Sequence, residues 1–246
     1  MVFHSTRDGR LGDQMDRVAL VTAAGRGIGA ATARALAEAG YRLVLLSPSG
    51  SAARLAEELG CRSVTGSVTE PADLEELVRV AIDSYGRVDA VVNNTGHPPR
   101  GELLEISDQE WNHGLDLVFL NVVRMARLVT PIMIEQGGGA FVNVSAFGAV
   151  QPDLSFPVSS SIRAGLRAFT RLYATRYGPH GIRMNDVLVG YAETYPVAES
   201  VIDAIPVGRA ATVDEIAATI GFLLSPEAGS ITGQGILVDG GMVRGL

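Results

Sequence analysis

Near its start the chain runs from four apolar residues, Val18–Val21, straight into Thr22-Ala23-Ala24-Gly25-Arg26-Gly27-Ile28-Gly29, and a helical period follows at once. A strand that turns this sharply into a helix needs glycine, because a backbone without Cβ bends and approaches other groups closely. The first turn of the helix then presents free N–H groups and the positive end of its dipole. Together these make a cradle for a pyrophosphate. A plain glycine-rich turn has the same composition. The strand before and the helix after are the context that a dinucleotide site requires, and both are present.

The rest of the chain repeats the same alternation. Leu43–Leu46, Ala90–Val92, Phe141–Val144, Met184–Leu188 and Ile236–Val238 are short apolar runs that predict buried strands, with a weaker one near Ser63–Val64. Helical periods lie between them. Thr69 is expected to cap a helix with Pro71 in its first turn and Leu74, Leu77, Val78, Ala81 and Ile82 on one face. Ser107 and Glu110 form a capping box ahead of a long helix through Trp111, Leu115, Val122 and Met125. Gly40 is placed to end the first helix, and Gly137–Gly139 to turn into a strand. Unbroken strand–helix alternation implies a parallel sheet covered on both faces: an α/β, doubly wound, Rossmann-type single domain over residues 15–246, after a flexible tail at 1–14.

Composition limits the partners. The 246 residues carry a net charge of −7, which argues against nucleic acid as a ligand, since phosphate binding needs a basic face. One cysteine, Cys61, permits no internal disulfide and fits a reducing compartment. The N-terminal stretch lacks an apolar signal region and no apolar run reaches membrane-spanning length, so a cytoplasmic protein without membrane contact is expected. All twenty basic residues are arginine, so no lysine serves as a catalyst anywhere in this chain.

The spacing Thr-x-x-Gly-x-Gly-x-Gly resembles the glycine motif of the short-chain dehydrogenase/reductase family, with Ala23 standing where that family usually has its first glycine. Asn93-Asn94-Thr95-Gly96 resembles its Asn-Asn-Ala-Gly. Gly181-Ile182-Arg183-Met184-Asn185 with Val189-Gly190, and Ile231-Thr232-Gly233-Gln234 with Val238-Asp239-Gly240-Gly241, resemble its later motifs. The likeness runs from Arg17 to Met242. It implies a nicotinamide dinucleotide held by Thr22, Ala23, Gly25, Arg26, Gly27, Ile28, Gly29, Ser47, Ser67, Val68, Asn93, Thr95, Gly96, Arg163, Val189, Gly190 and Thr194. Thr194 resembles a contact to the nicotinamide carboxamide. Ser67 replaces the family's adenine-contacting aspartate. An NAD site usually ends its second strand with an acid. Here Ser47 follows Leu46, and Arg26, with Arg54, offers charge to a 2′-phosphate. NADP(H) is therefore favoured, with NAD(H) open.

The family reduces carbonyls with serine, tyrosine and lysine, usually helped by an asparagine. The resemblance places those roles on Ala146, Ser159, Arg163 and Val118, so each position departs from the pattern. Ser159 and Arg163 keep the i, i+4 spacing and share a helical face. Ser145 neighbours Ala146 but points to the other side of its strand. Asn121 shares roughly the face of Val118 and reads more simply as a polar residue satisfied at the helix surface. A serine hydroxyl is a poor general acid, whereas Arg163 still holds an oxyanion or a ribose. Replacement donors are Tyr191, just after Val189-Gly190, and, less favoured, His97 and Tyr195; Phe147, Phe156, Pro98 and Pro99 supply an apolar wall. The candidate catalytic set is thus Ser159, Arg163, Ser145 and Tyr191.

Three functions stay open on this scaffold. The first is an NADP-preferring oxidoreductase with rearranged proton donors, acting on a small carbonyl or alcohol. The others are a dinucleotide-binding regulatory protein with little turnover, and a non-redox enzyme. The long apolar helix from Ser107 to Gln136 implies self-association as a homodimer or homotetramer.

Overall fold

The computed structural model describes residues 17–244. It contains every expected strand: β1 Val18–Val21, β2 Arg42–Ser47, β3 Arg62–Thr65, β4 Ala90–Asn93, β5 Gly139–Ala146, β6 Ile182–Val189 and β7 Gly235–Val238. All pair in parallel, in the order β3-β2-β1-β4-β5-β6-β7. The helices are α1 Gly27–Glu38, α2 Ser51–Leu59, α3 Pro71–Tyr85, α4 Asp108–Gln136, α5 Pro157–Tyr177, the short α6 Glu199–Ile202, and α7 Val213–Leu224. The proposed tail at 1–14 lies outside the described residues.

The strands are apolar throughout because both faces of the sheet are covered. Alternation along β1 divides it between two cores: Val18 and Leu20 join the side holding Met125, Val129 and Leu166, while Ala19 and Val21 join the side holding Leu36, Ile216 and Ile220. Each large side chain fully buried in this way contributes roughly 1.5–3 kcal/mol.

The expected capping box is formed: Ser107 Oγ accepts from the Glu110 amide, and the Glu110 carboxylate accepts from Ser107 N at 2.9 Å. Gly40 and Gly137, both in the left-handed region, close α1 and α4 as anticipated. Two expectations are corrected. Thr69 does not cap α3. Glu70, held extended by the following Pro71, takes the cap position, and the Thr69 hydroxyl pairs with Ser67 Oγ at 2.8 Å. Second, α4 is 29 residues long and apolar enough to cross a membrane by length and composition alone. It is a core helix: Val122, Met125, Val129 and Met133 are buried against the sheet and its neighbouring helices.

A π turn interrupts α4 at Asp116–Leu120. There the Asn121 amide donates to Asp116 O instead of Leu117 O, and the Asn121 side chain donates to the Leu117 carbonyl so released. Asn121 is satisfied, but it is buried rather than at the helix surface.

Strand order reverses between β1 and β4, because the chain leaves β1 for β2 on one side and returns from β3 to β4 on the other. The carboxyl ends of these strands therefore open a crevice at the switch point, which is where ligands bind in such sheets.

Candidate functional site

The glycine turn occupies that crevice. It is tied to its neighbours on both sides: Thr22 Oγ1 donates to Asn94 O at 2.6 Å, Asn94 N donates back to Thr22 Oγ1 at 2.9 Å, and Ala24 N donates to Leu46 O at 2.9 Å. Ala23 stands at φ +45°, in the left-handed region. That conformation costs a side-chain-bearing residue roughly 1–2 kcal/mol. It is the physical reason that a glycine is common at this place.

The remaining glycines are required by contact. A Cβ on Gly29 would lie 2.3 Å from Ala23 O and 2.8 Å from Asn94 Nδ2. One on Gly25 would lie 1.9 Å from Ser51 Oγ. Gly27 has φ +54° and leaves 3.1 Å between its missing Cβ and Thr194 Cγ2, so the loop after β6 rests on the turn. Thr194 thus lies against Gly27.

At the end of β2, Ser47 is buried and its hydroxyl is used internally, donating to Ser49 O at 2.7 Å and accepting from Ala52 N at 3.2 Å. The groups that face outward there are Ser49, Arg54 and, partly, Ser51. A cleft of about 220 Å³ beside Gly25 is lined by Ser51, Arg54, Arg34 and Glu58. Arg34 is paired with Glu58, whose carboxyl it holds below the ordinary range, so the cleft keeps an excess positive charge on Arg54. Sequence reasoning missed Arg34, since a helix periodicity does not say which face meets the next βα turn. Ser67 is likewise engaged: its amide donates to Asp73 Oδ2 at 2.7 Å, and its hydroxyl pairs with Thr69. Val68 beside it is buried.

On the other side, α5 carries Ser159 and Arg163 on one face, and Arg163 Nε donates to Ser159 Oγ at 3.2 Å. Arg163 Nη1 donates to Val144 O at 2.8 Å, which locks the guanidinium against β5. Burial pushes its pKa down to about 10, opposed by the charge of Asp186, so it remains a cation at neutral pH. Val118 is buried inside the π turn of α4, and Ala146 ends β5. Ser145 is buried, and its Oγ has no hydrogen-bond partner.

His97 marks where the segments converge. Burial, and then the positive charges of Arg100, Arg163 and Arg26, hold its imidazole below the usual range. Those arginines come from the loop after β4, from α5 and from the glycine turn. The Tyr195 ring packs edge-on to His97 at 5.1 Å. Tyr191 joins Phe147 at 5.8 Å and Phe156 at 6.5 Å, and the Arg100 guanidinium lies 4.5 Å from the Phe156 ring centroid. The anticipated apolar wall is thus an aromatic cluster with Tyr191 inside it. Burial, then the charge of Asp153, pushes the Tyr191 phenol up, which weakens it as an acid.

Several polar atoms at this edge are buried without partners, among them Asn93 Oδ1, Thr95 Oγ1 and Ser145 Oγ. Unsatisfied groups of this kind are rare in a folded interior and call for a ligand or water. Beside a turn whose glycines at 25 and 29 leave no room for a Cβ, they fit a bound dinucleotide. No group of His, Cys, Asp and Glu among the described residues has the arrangement of a metal site.

Fold and cluster together define a class: a doubly wound Rossmann-type domain with a glycine turn at its switch point. A family model described as enoyl-(acyl carrier protein) reductase matches residues 22–243. The 3-oxoacyl-(acyl-carrier-protein) reductase of Synechocystis sp. is 32% identical over 239 residues, covering 92% of this chain and 97% of its own. The 7alpha-hydroxysteroid dehydrogenase of Bacteroides fragilis is 33% identical over 244 residues, covering 92% and 94%. L-sorbose reductase from Gluconobacter frateurii, solved with NADPH and L-sorbose, superposes with a TM-score of 0.87 at 29% identity, covering 95% of this chain and 100% of its own. The chain belongs to the short-chain dehydrogenase/reductase family.

Proposed function

We propose that the protein is a nicotinamide-dinucleotide-dependent oxidoreductase that prefers NADP(H) and acts on a small carbonyl or alcohol with an altered proton-donor set. The observation that carries this reading is the glycine turn at the switch-point crevice, which leaves no room for side chains, beside the buried and unpartnered Asn93 Oδ1, Thr95 Oγ1 and Ser145 Oγ. The named reactions of the relatives, reduction of 3-oxoacyl groups and of L-sorbose, support the reaction class.

The cofactor, when bound, supplies the hydride. The chain's own residues do the rest. Thr22 through Gly29 hold the pyrophosphate, and Arg26 with Arg54 receives the 2′-phosphate beside Ser49 and Ser51. Ser67 and Val68 line the adenine side. Asn93, Thr95, Gly96, Val189, Gly190 and Thr194 line the nicotinamide side. Arg163 holds the ribose and steadies a developing oxyanion, and it orients the Ser159 hydroxyl. Ser145 and Tyr191 are the remaining polar groups of the set.

Calorimetry with both cofactors tests the preference. NADPH is expected to bind at least about tenfold more tightly than NADH, a difference of ~1.4 kcal/mol. Tighter NADH binding would refute it; a solved 3-ketoacyl-(acyl-carrier-protein) reductase of Brucella melitensis, of the same fold, holds NADH.

A regulatory dinucleotide-binding protein with slow turnover is the second reading. It is favoured by the Ser159 hydroxyl being held by Arg163 and by the raised Tyr191 pKa, which leave no well-tuned acid. Under either reading the protein self-associates through α4 and α5, whose outer faces expose Leu115, Ile134 and Leu172. Light scattering is expected to give a dimer or tetramer of the 25.8 kDa chain, and a monomer at micromolar concentration would contradict it.

A further inference from the structure

Three charged side chains are buried among the described residues: Arg163, Asp186 and Asp239. Asp239 is satisfied locally, because its carboxylate accepts from the backbone N–H groups of Gly241 at 2.9 Å and Val243 at 2.8 Å. The other two are a cation 6% exposed and an anion 1% exposed. Neither forms a direct ion pair among the described residues. A buried charge left uncompensated is costly, so each calls for the other.

Both belong to one polar layer. Asn93, Asn143 and Asp186 are in-register neighbours on β4, β5 and β6, and alternation puts them on the sheet face of Val91, Phe141 and Met184, which α5 covers. Hydrogen bonds run along the row: Asn93 Nδ2 donates to Asn143 Oδ1 at 2.8 Å, and Asn143 Nδ2 donates to Asp186 Oδ1 at 2.9 Å. From α5, Thr170 Oγ1 donates to the same Asp186 oxygen at 2.7 Å. Two bonds donated to one carboxylate oxygen favour its ionised form. Arg163 precedes Thr170 on α5 by about two turns and donates from Nη1 to the carbonyl of Val144, the residue after Asn143. Cation and anion thus grip adjacent residues of β5, one by its backbone and the other by its side chain.

We propose that Asp186 is the counter-charge of Arg163, a positioning residue that acts across β5 to hold the guanidinium inside the site beside Ser159. This role rests on the reading of Arg163 as the group that holds the ribose. The electrostatics agree. Burial pushes the Arg163 guanidinium down to about 10, and Asp186 is the charge that opposes it. Burial pushes the Asp186 carboxyl up to about 6, against the hydrogen bonds of Asn143 and Thr170 and the charges of Arg167 and Arg163. These groups face it from β5 and α5, and its neighbour on β7, Gly235, carries no charge. The sign follows. Above about pH 6 the carboxylate is charged and compensates Arg163, and below it the carboxyl is neutral and the cation stands alone. The other titrating group that feels Arg163 is His97.

The first arm of the test needs no cofactor. The Nε–Hε NMR signal of Arg163, identified by its loss in Arg163→Lys, is followed on the full chain from about pH 5 to about pH 7.5. It is expected to titrate with a midpoint near pH 6 in the wild type and in His97→Gln, and to lose that titration in Asp186→Asn. The last variant removes charge alone: it keeps an oxygen for Thr170 and Asn143, and Oδ2 bonds to nothing. The second arm is calorimetry with NADPH. Asp186→Asn is expected to weaken binding about tenfold, yet less than about twofold in the background of Arg163→Gln, because the loss passes through Arg163. A purely structural role would cost affinity equally in both backgrounds, and that equality overturns the proposal. So does an Arg163 signal that stays flat over this range, or a titration that disappears with His97→Gln instead. Should Asp186→Asn fold poorly, the wild-type and His97→Gln titrations decide alone. Failure of the wild type to bind NADPH counts against the dinucleotide reading itself, and the arginine titration then judges the counter-charge.

Discussion

Ala146→Ser, Ser159→Tyr and Arg163→Lys together are expected to raise NADPH-dependent reduction of simple ketones by about 10²–10⁴ over the unmodified protein, the range that a positioned general acid supplies. The pair Ser159→Tyr with Arg163→Lys is expected to give less than about a tenth of that gain, because such groups act as a unit. The reason is geometric. A phenol at 159 gains a proton-donating group, but the substrate oxygen stays unheld while position 146 is alanine, and small misplacements cost rate steeply. Arg163 adds to the problem. It is anchored on Val144 O and keeps its charge, so it does not shuttle a proton. The check is NADPH consumption by the three proteins. Robust turnover of unactivated ketones by the wild type would contradict the argument. Tyr191 would then be the donor, and Tyr191→Phe would abolish that turnover.

Gly29→Val is expected to weaken dinucleotide binding by on the order of 100-fold, while Gly50→Ala leaves it unchanged. The new Cβ at 29 meets a backbone carbonyl, Ala23 O at 2.3 Å, and the Asn94 amide that itself donates to that carbonyl. Neither gives way without opening the turn, and the first N–H groups of α1 then lose their alignment. Losing one or two charge-assisted bonds at ~1.5–3 kcal/mol each accounts for the magnitude. At Gly50 a Cβ meets nothing within 4 Å, so the control separates crowding at the turn from a general effect of removing glycine. Calorimetry with NADPH decides it. Equal affinity of the two variants would contradict the placement of the pyrophosphate.

Much of this architecture is written in local pattern. Val18–Val21 are apolar at every position because β1 faces two cores, and such a run is visible without a structure. The Ser107–Glu110 box and the Ser159–Arg163 pair depend only on spacing within one helix, and both are observed. What stayed hidden depends on the third dimension. The π turn at Asp116–Leu120 moves Asn121 inward and gives it the Leu117 carbonyl, and no sequence period announces an extra residue in a helical turn. Ser47 sits where a cofactor contact was expected, yet its hydroxyl serves the start of α2, because the chain turns back on it within five residues. Asp186 reads as one polar residue in an apolar strand. Only the packing of α5 on β6 shows that it is buried beside Thr170, Asn143 and the charge of Arg163.

The most direct test of the central claim is single-turnover transfer from NADPH deuterated at C4, with each face labelled in turn, to an activated α-diketone, followed by mass spectrometry of the alcohol. The account predicts deuterium in the product from one face only, with little reaction when a simple ketone replaces the diketone. Tight NADPH binding with no deuterium transferred from either face would contradict it and leave a dinucleotide-binding protein without hydride chemistry.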